Sequence, residues 1–97
     1  MKREEVLRIL RQHRVQLEES HGIRFLALFG SVARDQASPA SDVDLLVDFA
    51  RRPGFDGYMR LKEHLESLLG RRVDLIMTGA IKPSLRPEIE REAIRVA

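Results

Sequence analysis

The chain has 97 residues, 17 basic against 15 acidic side chains for a formal net charge of +2, and no cysteine. One domain over residues 1–97 is expected, near the low end of what buries a useful core, and disulfides and thiolate metal sites are excluded. The near-balance of charge gives no argument for direct nucleic-acid binding. No apolar run reaches membrane-spanning length, so no membrane partner is expected, and the absence of cysteine points to a reducing cytoplasm.

Residues 3–19 carry Val6, Ile9, Leu10 and Leu17 on one face with charges elsewhere, the pattern of an amphipathic helix that His21-Gly22 ends. "RFLALF", residues 24–29, is apolar on both faces and too short for a helix, which predicts a buried interior strand. Gly30-Ser31 follows at once, and "SVARD" reads as a short helix with Ser31 as its N-cap. After a polar loop over 36–41, residues 42–49 form a second strand. Val43, Leu45, Val47 and Phe49 lie on one face, and Asp42, Asp44, Leu46 and Asp48 on the other.

"ARRPGFDG" is a connection around a Pro53-Gly54 turn, and 58–69 a helix that stops at Gly70. Residues 72–77, "RVDLIM", are a third strand. Residues 87 to about 93 are a last helix with Pro87 in its first turn. The closing "AIRVA" fits either a continuation of that helix or a short edge strand. The helix between the second and third strands allows a parallel crossover, and the short link between the first two lets them run antiparallel. An α/β (α+β) fold follows, a small mixed sheet flanked by helices.

Two aspartates open the second strand. Asp42 and Asp44 point the same way with α-carbons about 7 Å apart. Carboxylates at that spacing can share one hard cation or bridge two Mg²⁺ ions, and without a cation they repel. Asp-x-Asp alone is an ordinary strand end. Two features add weight to it. Asp74 lies one strand over among apolar neighbours that predict a buried setting. The Gly30-Ser31 turn offers free backbone N–H groups to a phosphate, and an antiparallel hairpin places it at the same sheet end. Asp48 shares the acidic face but lies about 13 Å beyond Asp44, so it reads as structural. His13, His21 and His64 have no ligand spacing and read as surface residues, while Met59 and Met77 read as core.

With Gly30-Ser31, ten residues, then Asp42-Val43-Asp44 and Asp74 beyond, the sequence resembles the minimal nucleotidyltransferases of the DNA polymerase β superfamily. The likeness covers nearly the whole chain. It implies the polymerase-β-type fold, Mg²⁺ (two ions) held by Asp42, Asp44 and Asp74, and a nucleoside triphosphate, ATP, cradled at Gly30 and Ser31. Arg34 matches the family arginine and could serve packing or phosphate contact. Asp35 stands where relatives usually have Gly, in a turn that Asp tolerates.

Free-standing members of this length resemble the antitoxins of prokaryotic HEPN–MNT modules. That implies AMP transfer onto a tyrosine of a HEPN-type ribonuclease toxin. The alternative is a catalytically weak antitoxin that neutralises its toxin by occlusion, against which the clustered aspartates argue. So short a chain has little wall to enclose a small substrate, so the acceptor's own surface is expected to complete the site.

Overall fold

Strand β1, Ile23–Phe29, occupies an interior position of a four-stranded sheet in order β3-β2-β1-β4. The computed structural model describes all 97 residues. β2, Val43–Phe49, pairs antiparallel with β1, and β3, Val73–Met77, pairs parallel with β2. The sheet is therefore mixed, as the connection lengths predicted. Its fourth strand, β4, is only Ile94–Arg95, antiparallel to β1. The closing "AIRVA" thus forms an edge strand, and Val96 beyond it is buried while its N–H donates to the Leu26 carbonyl at 2.7 Å.

The two faces of the sheet are covered unequally. Val43, Leu45, Val47 and Phe49 of β2 join Leu26, Leu28, Val73 and Leu75 in the main core. Three helices close over that face: α1 (Arg3–Gln12), α2 (Arg14–His21) and α4 (Gly54–Leu69). They contribute Val6, Leu10, Leu17, Leu61 and Leu65, all without solvent exposure. On the reverse face Ala27, Phe29, Leu46 and Ile81 form a small cluster, against which only Phe25, Ile76, Ile89 and Ala93 pack, half-buried. Ile89 lies on α5, Arg86–Glu92, which has no buried residue. The aspartates of β2 face this thinly covered side.

Several sequence expectations are corrected. The first helix is two, because at His13 the backbone leaves helical geometry (φ −103°, ψ 11°) and its N–H is shared between the Ile9 and Leu10 carbonyls. α4 begins four residues early, running through Gly54 and Gly57, and Asp56 in its first turn suits a helix N-terminus. Met77 is exposed rather than core, at the end of an edge strand. His21 and His64 are half-buried partners, with Nε2 of one 2.8 Å from Nδ1 of the other between α2 and α4. Burial first, then His64 and Arg60, lowers the His21 pKa.

The main core predicts where truncation hurts. Leu65→Ala should cost about 2–5 kcal/mol and lower the melting temperature by roughly 10 °C or more. Phe55→Ala, at a residue 76% exposed, should stay within about 0.5 kcal/mol of wild type. A Leu65→Ala protein melting with the wild type in calorimetry would contradict this core.

Candidate active site

β1 delivers the chain to the site in extended geometry at Phe29 (φ −140°), after which Gly30 turns it with φ +76° into the four-residue helix α3, Gly30–Ala33. The N-cap is Phe29, not Ser31, and no side chain caps this helix. A positive φ favours glycine, and a second constraint is stronger. A Cβ on Gly30 would lie 2.0 Å from Oδ2 of Asp44. Since Phe29 pairs with Asp44 across the β1–β2 ladder, the antiparallel hairpin presses the turn directly against that carboxylate.

Asp44 and Asp74 are register partners in the parallel β2–β3 ladder, so their side chains leave the same face of neighbouring strands about 4.8 Å apart. Asp44 is half-buried. Asp74 is exposed, against the buried setting expected of it, because it lies on the edge strand β3. Asp42, just ahead of β2, turns to Arg72, with Oδ1 3.3 Å from Nε. Consequently no three His, Asp or Glu side chains gather at metal-holding distances as they stand. Both members of the Asp42–Arg72 pair are exposed, and such a pair is worth about 0–1 kcal/mol, so little holds Asp42 aside.

The electrostatics fit a cation. Burial, then the neighbouring Asp74 and Asp42 carboxylates, push the Asp44 carboxyl up to about 6, with Arg34 opposing them. Three acids compete for one negative site, and a bound cation would relieve that competition.

Arg34 reaches over the turn, and its Nη1 donates to Oε2 of Glu92 at 2.8 Å. Oε1 of the same carboxylate accepts the Gly30 N–H at 3.1 Å. Glu92 is a site residue that the sequence reading missed. Reading the closing residues as a strand beside β1 would have placed the end of α5 against α3.

Two further acids, Asp35 and Asp48, are paired away from the site. Asp35 does take the left-handed conformation (φ 58°), and its carboxylate accepts the Arg3 N–H at 3.2 Å and pairs with the Arg3 guanidinium. Asp48 pairs with Arg24 at 2.7 Å. Asp42 and Asp74 are exposed, Asp44 is half-buried, and Gly30 is buried beneath the contacts of Asp44 and Glu92. The largest cavity, about 530 Å³, sits further along the reverse face, lined by Phe25, Leu46 and Arg86 among others.

The family described as "Nucleotidyltransferase domain" matches residues 10–96. Protein adenylyltransferase MntA of Thermococcus cleftensis is 42% identical over 93 residues, covering 96% of this chain and 94% of its own. A solved structure described as a minimal nucleotidyltransferase superposes with a TM-score of 0.81 at 42% identity, covering 97% of this chain and 95% of the other. A chain of the Shewanella oneidensis complex between tri-AMPylated HEPN toxin and MNT antitoxin superposes with a TM-score of 0.67 over 94% of this chain and 71% of its own. At 18% identity that last likeness is one of fold.

The crowded carboxylates predict a pH-dependent stability. Because the folded state raises the Asp44 pKa from 3.8 to about 6, it binds that proton more tightly than the unfolded chain does. The associated stability is present below about pH 4 and is lost as pH rises through about 6. In metal-free buffer, Asp44→Asn should therefore melt above wild type at pH 7.5 or about that, with the gap closing near pH 4. Melting curves across that range test it, and a variant less stable than wild type at neutral pH would contradict the repulsion.

Proposed function

The chain belongs to the nucleotidyltransferase domain family, and from that premise we propose that it transfers AMP from ATP to a tyrosine of a HEPN-type toxin, acting as the antitoxin of the pair. One observation carries the reading. Asp44 is wedged between the Gly30 turn and its register partner Asp74, so that the turn and the acids meet at one end of the sheet. The activity in the name of the T. cleftensis relative and the AMPylated toxin in the S. oneidensis complex support the choice of nucleotide and acceptor.

In this reading the Gly30 N–H, the Ser31 hydroxyl and the Arg34 guanidinium bind phosphate oxygens. A guanidinium's planar fork suits them, and Gly30 lets the backbone approach closely. Asp42, Asp44 and Asp74 would hold Mg²⁺, which supplies charge neutralisation to the triphosphate and acidity to the acceptor hydroxyl. Asp74, exposed on the edge strand β3, is the acid to which this reading gives the proton of the tyrosine. The tyrosine oxygen attacks the α-phosphorus, the bond from that phosphorus to the bridging oxygen breaks, and pyrophosphate leaves. The exposure of Asp42 and Asp74 leaves room for a protein acceptor, whose own wall excludes water.

The test is transfer of label from α-labelled ATP, with Mg²⁺, to a HEPN-type toxin. Label is expected on a tyrosine of the partner. Asp44→Asn should remove transfer while the chain stays folded, and a variant within a tenth of wild-type rate, about 1.4 kcal/mol in barrier, would contradict the role given to Asp44. Gly30→Ala should be inactive as well, since its methyl group must displace the Asp44 carboxylate.

A further inference from the structure

The last residue of α5 occupies two of the three donors that the proposed cradle offers to a phosphate, leaving only the Ser31 hydroxyl. Glu92 accepts the Gly30 N–H with one carboxylate oxygen and the Arg34 guanidinium with the other. Its side chain is only 20% exposed, against 46% for Arg34, so this carboxylate is held inside the contact rather than waving over it. A carboxylate and a phosphate edge present the same pair of acceptor oxygens to such donors. We propose that Glu92 is an internal competitor for the nucleotide, holding the phosphate cradle shut until the triphosphate displaces it. The inference rests on the reading of Gly30 and Arg34 as the cradle.

Two features make the exchange possible. A backbone N–H is a single donor and cannot serve Glu92 and a phosphate together, whereas Arg34 has further N–H groups to offer. Two anions on one guanidinium beside the β2–β3 carboxylates would also repel each other. The segment carrying Glu92 is, moreover, lightly fastened. α5 buries no residue, the strand after it is two residues long, and Ile89 and Ala93 are only half-buried. The firm anchor comes later, where Val96 and Ala97 both donate to the Leu26 carbonyl. Outward movement of the end of α5 therefore breaks two polar contacts and little packing.

Neighbouring acids on the same helix supply the control. Glu88 and Glu90 are exposed and make no contact with Gly30 or Arg34. Removing a charge there changes the net charge of the protein equally but leaves the cradle as it is.

Calorimetric titration of Mg²⁺-ATP into wild type, Glu92→Gln, Glu92→Ala, Glu90→Gln and Arg34→Ala tests the proposal. Both Glu92 variants should bind about tenfold tighter than wild type, because the competent fraction of the cradle no longer has to be won from a carboxylate. Glu90→Gln should stay within about twofold, the ordinary effect of one distant charge. Glu92 variants that bind no tighter, or a Glu90→Gln gain of equal size, would overturn the competitor. In that event a loss of binding in Arg34→Ala would leave the cradle itself standing. Undiminished binding by Arg34→Ala would remove the cradle and the competitor together. The glutamine variant keeps the shape and one acceptor of the native side chain, so a folding defect confined to the alanine variant leaves the comparison intact.

Discussion

The contact on which the site depends is the close approach of the Asp44 carboxylate to the backbone of Gly30. The carboxylate fills the space in which any other residue at position 30 would carry its Cβ. That contact joins two elements with different tasks, a turn whose Gly30 N–H points to an anionic partner and a strand that carries acids. Beside this contact, Arg34 partly offsets the repulsion that Asp74 and Asp42 exert on the carboxylate. The fold supplies this contact through the antiparallel β1–β2 pairing and the parallel β2–β3 pairing. Both registers are specified by burying alternate residues of β2.

The unequal covering of the sheet follows from the same alternation. A sheet face lined by Val43, Leu45 and Val47 must be buried, and three helices bury it. The other face alternates aspartates with Leu46, which cannot support a second full layer, so only α5 and the loop at Ile81 lie against it. Stability therefore resides on one side of the molecule and chemistry on the other. The repulsion among the acids costs the metal-free protein something, and the main core lies on the opposite face from it.

Much of this was legible before any coordinates. The period-two pattern of β2 separates core face from acidic face without ambiguity, because seven residues are enough to show it. Gly30-Ser31 and the Asp42–Asp44 pair are local patterns, and the hairpin that joins them is dictated by a short connection. What was not legible depends on tertiary context. Asp74 read as buried because its neighbours Val73, Leu75 and Ile76 are apolar, yet its place on the edge strand β3 leaves it exposed. The break at His13 is invisible to hydrophobic spacing, since Leu17 continues the stripe across it. Gly54 and Gly57 read as turn residues but lie within α4, where burial of Leu61 and Leu65 outweighs their weak helix propensity. Glu92 had no signal of its own. It sits 62 residues from Gly30, and only a two-residue strand, too short for any periodicity, brings it there.

The central claim is that the acids at the start of β2 and on β3 converge with the Gly30 turn on one ligand. Thermal melts with and without Mg²⁺-ATP measure this most directly, because a ligand bound only by the folded protein raises its melting temperature by mass action. Wild type and Asp48→Asn should both shift upward, since Asp48 shares the acidic side but is tied to Arg24 beyond the ligand's reach. Asp44→Asn should lose most of the shift. Equal shifts in the Asp44 and Asp48 variants would contradict a convergent site.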